Sequence, residues 1–124
     1  MKKIMIIDDD RDFLDELGEL LNDAGYEALV VNDALSAVGL AISKKPDLIL
    51  LDLRMPSMSG IEVAVNLKLV LETSNIPVIA MTGFSRAEDN SFLKSFCAIR
   101  KCLKKPLNPL DVIKEIEWAL GEEK

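Results

Sequence analysis

The chain alternates short apolar runs with longer segments in which apolar residues recur every three or four positions. The four clearest runs cover residues 4–7, 28–31, 48–51 and 77–81. They are rich in Val, Ile and Leu, and continuous runs of this length are typical of strands that are buried on both faces. A weaker run at Cys102 and Leu103 predicts a fifth strand.

The segments between these runs show the periodicity of amphipathic helices. In the first of them, Phe13, Leu14, Leu17 and Leu21 share one face, and Gly25 provides a stop. Helices are predicted over residues 13–24, 35–42 and 61–71, over a segment that carries Leu93 and Phe96, and over residues 109–120. Five strands that alternate with five helices predict a doubly wound α/β fold with a parallel sheet and right-handed crossovers.

The composition is that of one acidic domain. The 124 residues are about the length of a single domain, so we expect residues 1–124 to form one unit. Fifteen Lys and Arg against 21 Asp and Glu leave a net charge of −6, which argues against a general nucleic-acid binder and against an anionic membrane surface as partner. The absence of histidine excludes His-based zinc sites, Ser-His-Asp triads and Cys-His dyads.

The sequence carries no sign of secretion or membrane insertion. The first apolar run is only four residues long and ends at acids, unlike a signal peptide or a membrane span. Cys97 and Cys102 are too few for a disulfide framework, which fits a reducing compartment. We therefore expect a cytoplasmic protein.

Chemically capable side chains follow the predicted strands at one edge of the sheet. They are Asp8, Asp9 and Asp10 after the first strand, Asp52 after the third, Thr82 after the fourth, and Lys104 and Lys105 after the fifth. Ligands of doubly wound sheets bind outside the carboxyl ends of the strands. We therefore expect a site made of several carboxylates, one hydroxyl and one amine.

The acids at this edge predict a cation site. Two carboxylates about 4 Å apart repel by roughly 4 kcal/mol at an effective dielectric constant near 20, so a group of them either raises its pKa values or binds a cation. Oxygen ligands of this kind suit Mg²⁺. Each acid alone has an ordinary explanation, because Asp9 and Asp10 directly precede a helix and could cap it. With a threonine and a lysine nearby, the whole set suits a phosphoryl group carried on an aspartate.

Four stretches resemble the receiver domain of two-component response regulators, of the single-domain, chemotaxis-regulator-like kind. They are Ile-Ile-Asp-Asp at residues 6–9, Leu-Asp-Leu-Arg-Met-Pro-Ser-Met-Ser-Gly at 51–60, Pro-Val-Ile-Ala-Met-Thr-Gly at 77–83 and Leu-Lys-Lys-Pro-Leu at 103–107. The resemblance covers essentially the whole chain. It implies a flavodoxin-like fold, with five parallel strands in the order 2-1-3-4-5, five helices and no output domain in residues 1–124.

The resemblance implies a role for each acid of the site. Asp52 is the phosphoacceptor. Mg²⁺ is held by Asp8, Asp9 and Asp52 together with the backbone carbonyl of Arg54. Asp10 is an outer acid rather than a ligand.

On the phosphoryl side of the site, the resemblance implies roles for a hydroxyl and an amine. Thr82 hydrogen-bonds a phosphoryl oxygen, and Lys105 pairs with the phosphoryl group. The Lys105–Pro106 bond is expected to be cis, which the tertiary amide permits. Lys104 should point elsewhere, because neighbours on a strand alternate faces.

The implied function is a signalling switch rather than an enzyme. A sensor histidine kinase or a histidine phosphotransfer protein donates the phosphoryl group to Asp52, and the chain's own lack of histidine fits a receiver. The new charge draws Thr82 and Lys105 toward it and shifts an equilibrium between two surface states. A downstream protein then binds the face formed by the fourth helix, fifth strand and fifth helix. No direct nucleic-acid contact and no membrane insertion are expected, and the chain should be a monomer or a weak dimer.

Cys102 departs from the family pattern. The family carries Tyr or Phe at this position, three residues before the lysine, and that ring swings inward when the threonine moves. A small thiol cannot reproduce the movement of a ring. The resemblance therefore does not extend to this coupling.

Two alternatives remain open. The spacing of Asp8 and Asp10 also fits haloacid-dehalogenase-like phosphatases, with Asp8 as nucleophile and Asp10 as acid/base, although this leaves the stretch around Asp52 unexplained. The chain could instead be a docking module that binds its partner without phosphorylation. The complete acid set argues against this alternative, and Cys102 argues for it.

Overall fold

The computed structural model describes residues 1–54, 59–83 and 99–121. Five strands lie within these residues, and each one overlaps the apolar run that predicted it. The strands are β1 (Lys3–Ile7), β2 (Glu27–Val31), β3 (Leu48–Asp52), β4 (Val78–Thr82) and β5 (Lys101–Lys104). All paired strands are parallel, and their order in the sheet is β2-β1-β3-β4-β5, which confirms the predicted fold class.

The register of the strand pairs brings their carboxyl ends to one edge of the sheet. Asp52 at the end of β3 pairs with Met81 of β4, and Thr82 at the end of β4 pairs with Lys104 of β5. Since parallel strands run in the same direction, the residues that follow β1 and β5 emerge at this edge too. The sheet therefore brings these segments together at one edge although they are far apart in the sequence.

Four helices lie in the described residues. They are α1 (Arg11–Asp23), α2 (Ala34–Lys44), α3 (Gly60–Leu69) and α4 (Pro109–Ala119). The predicted helix that carries Leu93 and Phe96 lies outside the described residues. The predicted fifth helix is therefore α4 here, and Pro109 occupies its first turn, where proline is favoured.

The end of α3 differs slightly from the sequence prediction. The helix ends at Leu69 rather than near residue 71, and Val70 already has an extended backbone with φ −93° and ψ 126°. The hydroxyl of Thr73 donates to the carbonyl of Leu67 over 2.5 Å and to that of Val70 over 3.3 Å. This side chain satisfies carbonyls that a further helical turn would otherwise bond, so the helix can stop there.

Polar N-caps begin all four of these helices. The caps are Asp10, Asp33, Ser59 and Asn108, and each side chain accepts a hydrogen bond from a backbone N–H of the first turn. Asp10 accepts from Phe13 over 3.2 Å. One member of the acidic run after β1 is thus a helix cap, as its position allowed.

The sheet separates two apolar clusters. One lies between the sheet and α2 and α3, and the other lies between the sheet and α1 and α4. The strands β1, β3 and β4 are almost wholly buried, whereas the edge strands β2 and β5 carry exposed residues. The site at the carboxyl edge therefore stands on three buried strands. Among the described residues, no helix has the length and apolar character needed to span a membrane.

Candidate functional site

Five side chains that the sequence places at the carboxyl edge come together there. They are Asp8 and Asp9 directly after β1, Asp52 at the end of β3, Thr82 at the end of β4, and Lys105 directly after β5. Asp8, Asp52 and Thr82 are 0, 4 and 3% exposed, which is unusual for polar groups and requires partners for each of them.

Three carboxylates lie within reach of one cation. One oxygen atom from each of Asp8, Asp9 and Asp52 lies within 4.8 Å of the other two. Asp9 is exposed while the other two are buried. A cation at this point would contact two oxygens fixed by the fold and one that faces solvent.

The ammonium group of Lys105 lies against the two buried acids. Its Nζ atom is 2.6 Å from Oδ2 of Asp8 and 3.9 Å from Oδ1 of Asp52. The backbone N–H of Lys105 donates to the carbonyl of Thr82 over 2.8 Å, which ties the end of β5 to the end of β4. In this state the lysine therefore pairs mainly with Asp8.

Backbone N–H groups hold both buried carboxylates. The N–H of Asp10 donates to Oδ1 of Asp8 over 2.9 Å, so both oxygens of Asp8 have a partner. The N–H of Arg54 donates to Oδ1 of Asp52 over 3.2 Å. This bond brings the backbone of Arg54 to the site, and the role of its carbonyl as a metal ligand stays a prediction.

The surroundings of Asp52 raise its pKa from 3.8 to about 6. Burial is the largest cause, and the charge of Asp8 is the next. The Arg54 N–H and the Lys105 ammonium lower the pKa, and the charge of Asp9 adds a smaller increase. The surroundings of Asp52 therefore disfavour its ionised form.

This donor set suits Mg²⁺. All the candidate ligands are oxygens, as a hard divalent cation prefers, and three carboxylates face one ammonium group. A bound cation would lower the pKa of Asp52 and so oppose the increase that burial and the neighbouring acids cause. The residues present therefore fit the ion that the sequence predicts.

Gly60 supports the site from α3. A Cβ atom at this position would overlap the carbonyl oxygen of Asp52 and lie 2.6 Å from Cα of Leu53. Its N–H donates to the carbonyl of Leu53 over 3.2 Å. The motif at residues 51–60 contains this glycine without indicating its role, although a glycine at a predicted helix start is a signal of close packing.

Phe13 is a second contact that sequence reasoning missed. Its spacing predicts only a place on the apolar face of α1, yet the centroid of its ring lies 4.2 Å from Nζ of Lys105. No spacing rule links the two residues, because they approach only through the packing of α1 beside the segment that follows β5.

The remaining predictions around β5 agree with the structure. Lys104 is exposed beside the half-buried Lys105, and the Lys105–Pro106 bond is cis. Cys102 pairs with Ala80 of β4 and packs against the apolar cluster between the sheet and the helices α2 and α3. Burial raises the pKa of its thiol above the ordinary value, which disfavours the reactive thiolate form.

Comparison with known proteins decides the family. The sequence model of the response regulator receiver domain matches residues 4–117. The chain belongs to the response regulator receiver family. The polar-differentiation response regulator DivK of Brucella anthropi is 33% identical to this receiver over 121 residues, which are 98% of each chain.

Solved receivers share the fold of this one. A response regulator from Desulfuromonas acetoxidans is 27% identical, with a TM-score of 0.89 over 98% of both chains. The chemotaxis protein CheY4 of Vibrio cholerae is also 27% identical, with a TM-score of 0.89 over 97% of this chain and 99% of that one.

Membership of the receiver family indicates the general role of this chain. Receiver domains are components of two-component signalling, and as a family they act as switches rather than as enzymes. They bind Mg²⁺ at an acidic pocket and interact with histidine kinases and downstream targets. The family result favours this interpretation over the haloacid-dehalogenase-like alternative.

Proposed function

We propose that the chain is a phosphorylation-activated signalling switch whose phosphoacceptor is Asp52. The observation that carries the proposal is the position of this nearly buried carboxylate, which lies among Asp8, Asp9 and Lys105 at the carboxyl edge of the sheet. A nucleophilic oxygen is thus placed beside ligands for a cation and beside a cation of the protein. These groups can offset the charge of an incoming phosphoryl group.

The donor is a phosphohistidine on a sensor histidine kinase or a histidine phosphotransfer protein. An oxygen of Asp52 attacks phosphorus, the P–O bond forms, and the P–N bond breaks with its electron pair returning to the imidazole. The product is an acyl phosphate on Asp52. None of the 124 residues is a histidine, so the donor histidine lies outside this domain.

Three carboxylates and one backbone carbonyl would provide the protein ligands for Mg²⁺. Asp8, Asp9 and Asp52 would bind it together with the backbone carbonyl of Arg54, and bound Mg²⁺ supplies charge stabilisation for the transferred group. Asp8 is held by the Asp10 N–H and by Lys105, so its oxygens keep their positions without rearrangement.

Lys105 and Thr82 respond to the new group. A phosphoryl group carries about two negative charges at neutral pH, so it competes with Asp8 for the Lys105 ammonium, which already lies 3.9 Å from Asp52. The Thr82 hydroxyl would bond a phosphoryl oxygen. The backbone N–H of Lys105 donates to the carbonyl of Thr82, so a movement of either residue displaces the other.

The output surface follows from these two residues. Thr82 ends β4 and Lys105 follows β5, so changes at the site reach β5 and the adjoining α4, which are linked by an ion pair of 2.5 Å between Lys101 and Glu115. A downstream protein would bind this face, completed by the predicted fourth helix outside the described residues. We expect no nucleic-acid contact, and a monomer or weak dimer.

The position of the acyl phosphate tests the proposal. After reaction with acetyl phosphate and Mg²⁺, borohydride reduction and peptide mapping should locate the modification at Asp52. Asp52→Asn should remove it, and Asp10→Asn is a matched control that leaves it in place. Modification at Asp8 with turnover of phosphate esters would instead establish the phosphatase alternative. Partner binding that is unchanged in Asp52→Asn under phosphodonor would establish the docking module.

A further inference from the structure

The side chain of Lys105 is long and flexible, yet it is held in one place by groups of different kinds. Its ammonium lies 2.6 Å from Asp8 and 4.2 Å from the ring centroid of Phe13, and its side chain is 24% exposed. A lysine loses much rotational freedom when it is fixed, so a single ion pair with one acid defines its position poorly. A second contact of a different type narrows the positions that the ammonium can occupy.

The ring of Phe13 supplies that second contact. A cation within about 6 Å of an aromatic centroid is attracted by the negative face of the ring, which an aliphatic side chain lacks. The backbone that carries the ring is fixed, because Phe13 lies in the first turn of α1 and its backbone N–H donates to the Asp10 cap over 3.2 Å. From this backbone position the ring reaches the lysine, with its centroid 4.2 Å from Nζ.

We propose that Phe13 is a positioning residue that holds the Lys105 ammonium between Asp8 and Asp52, where it can pair with a group added to Asp52. In this role Phe13 acts through Lys105 and not on the acceptor oxygen itself. The inference rests on the proposed function, since it concerns how the lysine is presented to the phosphoryl group. It also links the α1 surface to the site, because the half-exposed ring lines a groove between α1 and the segment that starts α4.

Three variants separate a role of the ring face from one of apolar bulk. Phe13→Leu keeps an apolar side chain without a ring, and Phe13→Tyr restores the ring. Leu20→Ala is the matched control, because Leu20 lines the same groove about two turns further along α1. Thermal unfolding of each variant checks that it is folded.

The first readout is the NMR signal of the Lys105 Hε protons, identified by its loss in Lys105→Arg. Protons over a ring face are shifted upfield, so the signal should move downfield in Phe13→Leu and stay in place in Phe13→Tyr and Leu20→Ala. The second readout is the apparent affinity for beryllofluoride with Mg²⁺, a stable phosphoryl mimic. Phe13→Leu should weaken it by about two- to five-fold, as expected for a partly exposed cation–π contact, and Phe13→Tyr should restore it.

Equal affinities in wild type and Phe13→Leu, or equal losses in the Leu and Tyr variants, would overturn the proposal. So would an unchanged Hε signal in Phe13→Leu. Failure of the proposed function looks different, because beryllofluoride would then bind wild type and Asp52→Asn alike or not at all. The Hε signal would still report whether the ring lies on the lysine.

Discussion

At the scale of single residues, the site is built around a carboxylate that the fold makes costly to ionise. Asp52 is 4% exposed, its pKa is raised to about 6, and its acidic neighbours add to the effect of burial. The ammonium group of Lys105 offsets only part of this increase in pKa, since it lies closer to Asp8 than to Asp52. A cation or the loss of the charge should therefore stabilise the folded chain.

We expect Asp52→Asn to stabilise the Mg²⁺-free protein by about 3 kcal/mol at pH 7. The folded pKa, about 6, lies above the ordinary 3.8, so the stabilisation from the protonated carboxyl is complete below 3.8 and is lost as pH rises through 6. The advantage of Asn should thus vanish near pH 4. Urea unfolding in EDTA measures it, with exposed Asp15→Asn as control. An advantage equal at both pH values, or shared by the control, would contradict the electrostatic explanation.

Mg²⁺ should stabilise the wild type through the same acids. Saturating the site at 100 times its Kd adds about 2.7 kcal/mol to the free energy of unfolding. Asp9→Asn should require at least about ten-fold more Mg²⁺ for the same shift in Tm, because a charged ligand is lost. Asp12→Asn removes an exposed charge from the first turn of α1 and should leave the titration unchanged. Equal titrations for the two variants would show that Mg²⁺ responds to general charge rather than to the site.

At the scale of elements, α3 must approach the end of β3 without a side chain between them. Gly60 provides that approach, since its missing Cβ would overlap the Asp52 carbonyl. The helix start and the phosphoacceptor segment are thereby packed as one unit, with the Gly60 N–H bonded to the Leu53 carbonyl. A side chain here should disturb both the fold and the acceptor.

We expect Gly60→Ala to destabilise the protein by about 3 kcal/mol, because backbone atoms must move to admit the methyl group. Gly39→Ala is the matched control, since Gly39 lies on α2 and a Cβ added there would meet no neighbouring group of the described residues within 4 Å. Alanine there should stabilise the chain by up to about 1 kcal/mol through helix propensity. Urea unfolding measures the free energy of unfolding of both variants. Similar changes at the two glycines would mean that the close contact between Gly60 and the Asp52 carbonyl does not contribute to stability.

The elements themselves could be predicted from the sequence to a large extent. Four clear apolar runs and one weaker run located the five strands of the described residues, and apolar periodicity located their helices, because these patterns depend on local chemistry. The end of α3 was less predictable. It depends on the Thr73 hydroxyl folding back onto the Leu67 carbonyl, a contact that periodicity does not record.

At the scale of the whole molecule, the sheet topology assembles the site from segments that are far apart in the chain. Asp8 and Lys105 are separated by 97 positions yet form an ion pair of 2.6 Å. The β–α alternation predicted that the strand ends meet, since ligand sites of doubly wound sheets lie at that edge. It could not predict that Lys105 pairs with Asp8 or contacts Phe13, because those choices depend on side-chain packing between distant elements.

The central claim is that Asp52 accepts a phosphoryl group in a Mg²⁺-dependent reaction. Mass spectrometry of the intact protein after incubation with acetyl phosphate tests it most directly, with wild type and Asp52→Asn compared with and without Mg²⁺. The wild type should gain the mass of one phosphoryl group only when Mg²⁺ is present, and Asp52→Asn should gain none. Equal modification of both proteins, or a wild type that stays unmodified with Mg²⁺, would contradict the claim.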